Sequence, residues 1–202
     1  MLVAEGYSMY TLIVNGSPRP NGDTAALIRA FCGELPGEWE ILNVRDGKTA
    51  PCLDCRRCHT REGCALRDGM DEFWPRLQRA GLLVFASPVY YGQPSGQLLS
   101  WATRLQYAFV SAHIRRDPDF SLGKRLGAVL LAAGGGTKDP EPALRTMRML
   151  LRECGAEYAG FAAAMQTDRL PAREDAAALD GARRLARELA ARLEGEQFPG
   201  GI

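Results

Sequence analysis

Short, nearly unbroken apolar runs alternate along this chain with longer segments whose apolar residues recur at helical spacing. Residues 10–14 form the first run, cut off by Gly16 and Pro18, and residues 24–31 then read as a helix. A second strand is expected over 39–44 and a third over 82–86, where an uninterrupted apolar run marks a strand covered on both faces. Further strands are expected over 125–133 and 158–164, and further helices over 68–80, 95–110, 140–154 and 175–193. Five strands alternating with five helices predict a three-layer, doubly wound α/β fold. Its parallel sheet of five strands should run in the order 2-1-3-4-5, with right-handed crossovers. One domain is expected over 9–195, with an extension at 1–8 ahead of a second methionine, a polar cysteine-rich loop at 45–68 and a tail at 196–202.

In that strand order, ligands bind beyond the carboxyl ends of strands 1 and 3, with strand 4 beside them. Three loops should therefore meet there. The first is Asn15-Gly16-Ser17-Pro18-Arg19-Pro20-Asn21-Gly22-Asp23-Thr24. A helix start offers free N–H groups and the positive end of the macrodipole, the Ser17 and Thr24 hydroxyls add donors, and Arg19 adds a fork. The loop has neither the Gly-x-x-x-x-Gly-Lys nor the Gly-x-Gly-x-x-Gly pattern, so a single phosphomonoester such as that of FMN suits it better. It also fits an ordinary turn capped by Asp23 or Thr24. The second loop, Pro88-Val89-Tyr90-Tyr91-Gly92, offers planar faces, and the third, Gly134-Gly135-Gly136, lets backbone approach a flat ring. An isoalloxazine ring makes that demand, although glycines and tyrosines also serve in turns and packing.

The chain has 202 residues and a net charge of +1, with 25 basic and 24 acidic residues interspersed, so no global field favours nucleic acid or an anionic membrane. No apolar stretch nears the roughly 20 residues of a membrane helix, and no secretory signal precedes the first strand. A cytoplasmic location is expected. Of six cysteines, four (Cys52, Cys55, Cys58 and Cys64) lie within 13 residues, too dense for disulfide stapling and closer to metal-ligand usage. Four thiolates on one loop can wrap a 4Fe-4S cluster, while zinc, with His59 as a substitute ligand, and bare thiols remain competing uses. Arg56, Arg57 and Arg61 could balance a cluster's charge or dock an acidic partner such as ferredoxin. Cys32 and Cys154 fall in helical patterns and read as core thiols.

Over residues 10–165 these features resemble the flavodoxin-like NADPH-dependent FMN reductase family, and in particular its iron-sulfur flavoprotein branch. The resemblance is carried by Gly16-Ser17-Pro18-Arg19 with Gly22-Asp23-Thr24, by the cysteine block followed by Asp68-Gly69-Met70, and by Ser87-Pro88-Val89-Tyr90-Tyr91-Gly92. It implies that Ser17, Arg19, Asn21, Asp23 and Thr24 surround an FMN phosphate. It likewise implies that residues 88–92 flank the ring and that Gly134, Gly135 and Gly136 cover its other polar edge. Many relatives carry Asn at the position of Asp23, and a Lys and an Asp at those of Leu99 and Thr103. An acidic Asp23 would repel phosphate, so its carboxylate is expected to cap the helix instead.

The activity implied is hydride transfer from NAD(P)H to bound FMN and on to a quinone, a flavin or another acceptor, with no catalytic side chain. Backbone N–H groups of Gly135 and Gly136 are the candidates for stabilising reduced flavin. Neither His59 nor His113 suits an acid or base role. The rival reading is an electron carrier that takes single electrons from ferredoxin through a 4Fe-4S cluster to FMN. A homodimer or homotetramer is expected by resemblance, with Tyr107, Phe109 and Phe120 as the contact region.

Overall fold

The computed structural model describes residues 9–195, so the expected extension and tail lie outside the described residues. In chain order the elements are β1 (Thr11–Asn15), α1 (Asp23–Cys32), β2 (Trp39–Asn43), α2 (Arg57–Thr60), α3 (Gly69–Arg79), β3 (Leu82–Tyr90), β4 (Gln93–Pro94), α4 (Gly96–Ala102), α5 (Gln106–Phe109), β5 (Arg125–Ala133), α6 (Glu141–Glu153), β6 (Ala156–Met165) and α7 (Ala176–Gly195). The sheet runs β2-β1-β3-β5-β6, all parallel, with β4 turned back antiparallel on β3. That is the expected order with one hairpin strand added.

The apolar runs are explained by cover on both sides of the sheet. Leu12, Val14, Leu83, Phe85, Val129 and Leu131 face one core with α3, α4 and α6, whereas Ile13, Leu82, Val84, Leu126, Ala128 and Leu130 face the other with α1 and α7. Alternate residues thus enter opposite cores, and polar residues on the central strands are confined to positions near their ends, at Thr11, Asn15, Ser87 and Arg125. On α1, Leu27, Ile28 and Phe31 are buried, each worth about 1.5–3 kcal/mol. They hold the start of α1 against the carboxyl edge of the sheet.

Two elements differ from expectation. β3 continues through Ser87 and Pro88 to Tyr90. The Gly16 N–H donates to the Ala86 carbonyl on the β1 side, so Pro88, two residues on, turns its missing N–H to the same side, where β1 has already ended. The single helix expected over 95–110 is instead broken into α4, a 3-10 turn at Thr103–Leu105, α5 and a π segment at Val110–Ile114. At the break, the Thr103 hydroxyl donates to the Ser100 carbonyl at 2.6 Å, and the buried Arg104 reaches across to the cysteine loop.

Candidate functional site

A cleft of about 450 Å³ opens at the carboxyl edge of the sheet, lined by Arg19, Asp23 and Thr24, by Pro88, Val89, Tyr90 and Tyr91, by Gly134, Gly135 and Thr137, and by Thr167 and Asp168. The three loops expected to converge therefore do converge, and its volume falls in the roughly 300–1,000 Å³ range of small-molecule sites.

The first loop is held from beneath. Asn15 accepts from the Ser17 N–H at 3.0 Å and donates to Asn43 at 2.9 Å, and Ser95 at the start of α4 donates to the Gly16 carbonyl at 2.6 Å. Gly16 passes so close to α4 that an added Cβ would lie 2.7 Å from the Leu98 Cβ. Ser17 is buried and bonded to the Arg19 backbone, so it shapes the loop and does not line the cleft. Gly22 precedes α1 in an extended conformation, and no side chain caps the helix. The first-turn N–H groups are thus left to a ligand or to water.

Asp23 departs from expectation. It does not cap α1; it accepts from the Ala172 N–H at 3.0 Å and pairs with Arg19 at 3.3 Å. At the first helical position its carboxylate reaches sideways, to the loop leading into α7, more readily than back over its own helix. Arg19 is 66% exposed, so the pair is worth about 0–1 kcal/mol and leaves the guanidinium free to turn. Asn21 is outside the cleft lining but lines an adjoining depression with Arg29, Pro171 and Arg173, which shares Arg19, Asp23, Thr167 and Asp168 with the cleft.

On the second loop, Tyr91 (φ 53°) and Gly92 (φ 74°) both take left-handed conformations. Two positive φ values in succession make the two-residue turn that suits the right-handed twist of the β3–β4 hairpin. The turn throws Tyr91 fully into solvent at the cleft mouth, leaves Tyr90 44% exposed and directs Gly92 toward Pro142. On the third loop, the Gly135 N–H, expected to be free, donates to the Asp168 carboxylate. An added Cβ on Gly134 would come 2.6 Å from that carboxylate, and Gly136 lies outside the cleft lining. Thr137, at the end of the third loop, also lines the cleft. Asp168 and Thr167 escaped the sequence reading, which took loops from three strands only. The loop after β6 is a fourth at the same rim.

A second, smaller cavity of about 30 Å³ brings together Cys52, Cys55, Cys58 and Cys64, with Arg56, His59, Arg104, Gln106 and Tyr107. All six cysteines are free thiols. Burial pushes the Cys58 thiol up, and repulsion from the Cys52, Cys64 and Cys55 sulfurs adds to it, as expected of sulfurs that share one space. Cys32 and Cys154 are core thiols, as read from the sequence, pushed up to about 12 by burial. Among the described residues no three His, Cys, Asp or Glu side chains close around a point that a single ion could fill. A cubane cluster carries its irons at separate corners and asks for more widely spaced sulfurs than one ion does.

The cysteine loop is tied to the fold by α4 and the segment after it. The Cys52 N–H donates to the Thr103 hydroxyl at 2.8 Å, Arg104 donates to the Ala50 carbonyl at 2.9 Å and to Asp68 at 2.6 Å, and Arg115 donates to the Arg61 carbonyl at 2.7 Å. Of the three arginines singled out in the loop, only Arg56 lines the cavity. Arg104 was missed, although it carried a signal: three residues after Trp101 and four before Ala108, it occupies the buried stripe of a helical pattern. Because Ser95 is bonded to the phosphate-side loop and Thr103 to Cys52, the span from Ser95 to Arg104 joins the two cavities. At helical rise that span is roughly 14 Å.

Burial alone would raise the Asp68 pKa, but the Arg104 guanidinium and the Met70 and Ala50 N–H groups more than reverse this and hold it below the usual carboxylate range. A depressed acid stabilises the fold fully above its unfolded value of about 3.9, and that stabilisation is lost as pH falls through the folded value. The cysteine loop is therefore expected to loosen in acid, read as a falling amide-exchange protection factor at Ala50 and Cys52 below about pH 4, with D68N removing the dependence. Unchanged protection down to about pH 2 would contradict the tie.

Among the described residues no helix is long and apolar enough to cross a membrane. Comparison with known proteins agrees with the geometry. The model of the NADPH-dependent FMN reductase family matches residues 9–167. An iron-sulfur flavoprotein of Methanocaldococcus jannaschii is 32% identical over 93 residues, covering 45% of this chain and 48% of its own. Another, from Archaeoglobus fulgidus, is 29% identical over 151 residues, covering 73% and 64%. The chain thus spans about half to two thirds of the length of these relatives. A solved NAD(P)H:quinone oxidoreductase from Methanothermobacter marburgensis shares the flavodoxin-like fold, with a TM-score of 0.67 over 90% of this chain and 99% of that one at 19% identity. With its fold, its cleft and four fifths of its length in agreement, the chain belongs to the NADPH-dependent FMN reductase family.

Proposed function

We propose that the large cleft holds FMN and that the protein is an NAD(P)H-dependent oxidoreductase passing reducing equivalents to a quinone, a flavin or another small acceptor. The observation that carries this reading is the uncapped start of α1, opening onto a cleft otherwise walled by the tyrosine and glycine loops. The residues fit the group: Thr24 and the first-turn N–H groups face the place of a phosphate, and Arg19 can turn onto it from solvent. FMN supplies a ring nitrogen that accepts hydride from the nicotinamide and returns reducing equivalents to the acceptor. The chain's part is to orient. Tyr90 and Tyr91 wall one side of the cleft, and the backbone of Gly134 and Gly135 allows close approach at another.

Asp168 sets the charge at that edge. Its carboxylate occupies the Gly135 N–H, which would otherwise be a donor to a carbonyl-rich ligand, and adds a negative charge to the cleft. D168N is expected to bind FMN several-fold more tightly, measured by quenching of flavin fluorescence; weaker binding would mean that Asp168 supports the loop instead of blocking it. The activity is tested by mixing the FMN-loaded protein anaerobically with NADPH or NADH. Bleaching of the flavin band, and its return on adding a quinone, is the expected result. A flavin that stays oxidised contradicts it.

A second reading, electron transfer from ferredoxin through a 4Fe-4S cluster to FMN, is favoured by the cysteine cavity and by the span that joins it to the cleft. Cys52, Cys55, Cys58 and Cys64 would hold the cluster. The donor set fits on two counts: four thiols line one cavity, and a buried guanidinium nitrogen of Arg104 lies there without an acceptor. A homodimer or homotetramer remains part of the proposal. Phe109 is exposed, whereas Tyr107 and Phe120 stack edge-on with centroids 5.7 Å apart and are half-buried already.

A further inference from the structure

Arg104 is only 3% exposed. Its Nη1 is satisfied by the Ala50 carbonyl and Asp68, yet its Nη2, equally shut off from water, makes no hydrogen bond to any acceptor. A buried donor of this kind ordinarily has a partner. Arg104 and Cys64 line the same cavity, and the Cys64 sulfur is close enough to act on the guanidinium. A guanidinium keeps its proton in proteins, and this one is paired with Asp68 at 2.6 Å, so the group is a fixed cation. The other arginine of the wall, Arg56, is 73% exposed at its side chain, so water and salt screen its charge. Arg104 is therefore the unscreened cation of the cavity, locked in place on a side chain that cannot swing away.

We infer that Arg104 tunes the cluster proposed for this cavity: its Nη2 donates to sulfur at Cys64, and its charge favours the reduced form. The inference rests on the cluster reading. Reduction adds one electron and one negative charge to the cluster, and no bond forms or breaks. A nearby N–H donor and a fixed positive charge both stabilise the more negative state and raise its reduction potential. Asp68 acts in the opposite sense, as a counter-charge that moderates Arg104 and fixes its direction.

The test is an anaerobic redox titration of the full chain, reconstituted with iron and sulfide and followed by electron paramagnetic resonance. At the wild-type midpoint, R104Q is expected to lower the reduced-to-oxidised ratio at least tenfold, a shift of about 59 mV for one electron. R104K, which keeps the charge, should stay within threefold of wild type, and D68N should shift the ratio the other way. Should R104Q fail to fold, D68N/R104Q removes both charges and leaves no carboxylate buried alone, and its Asn still caps α3 at the Met70 N–H. Its midpoint should also fall below that of D68N. A structural tie alone would not produce shifts of opposite sign from the two partners. Bound iron with a midpoint unmoved in R104Q, or moved alike in R104Q and D68N, overturns the role of Arg104. Wild-type protein that takes up no iron overturns the cluster reading itself, and this inference with it.

Discussion

Gly16→Ala weakens FMN binding by roughly a hundredfold. The new Cβ would lie 2.7 Å from the Leu98 Cβ and 3.1 Å from the Ser95 hydroxyl, both buried, so neither neighbour can move out of its way cheaply. Relief must come from the loop lifting off α4. Overpacking of this kind costs about 1–3 kcal/mol of stability. The larger effect falls on the ligand, because lifting the loop misplaces Arg19 and the entry to α1. Hydrogen bonds to a charged phosphate are worth about 1.5–3 kcal/mol each, so losing the geometry of one or two gives the stated factor. Gly96→Ala is the control, since a Cβ there meets nothing within 4 Å. Calorimetric titration with FMN reads both variants. If G16A binds like G96A, the loop is not the phosphate site.

Cys58→Ser strips the protein of iron and leaves FMN binding within threefold of wild type. Cys58 is half-buried in α2, with the other three sulfurs of the loop around it, and a hydroxyl is a poor ligand where a thiolate is required. Iron and sulfide assays on anaerobically reconstituted protein are expected to fall from about four irons per chain to less than a quarter of that. Cys154→Ser is the comparison: its thiol lies in the core outside the cavity, so the change should cost stability and no iron. Iron retained in C58S would mean that the cavity is not its binding site. Zinc in place of iron in the wild type would return the loop to a structural role.

Most of the architecture could be read from the chain because each central strand is buried on two faces. Such strands leave uninterrupted apolar runs like Leu82 to Ala86, and three of them, with two half-buried edge strands and amphipathic helices between, permit few topologies. The convergence of three loops followed from strand order alone, without any contact being known. What escaped detection depends on side-chain direction. Ser17 was read as facing the phosphate, yet it bonds the backbone of its own loop. Asp23 was read as a cap and reaches Ala172, 149 residues away, a contact that no local pattern encodes. Pro88 suggested the end of a strand, but its missing N–H falls where a neighbouring strand is absent. Arg104 was hidden because its partners, Ala50 and Asp68, lie 54 and 36 residues away and meet it only through the crossover.

The cleft and its uncapped helix support the whole functional account, and equilibrium titration of the purified protein with FMN tests them most directly. Saturable uptake of one FMN per chain at micromolar concentration, lost in G16A and competed by inorganic phosphate, is the predicted result. A protein that stays colourless at millimolar FMN, or whose uptake is indifferent to both the variant and phosphate, would contradict it.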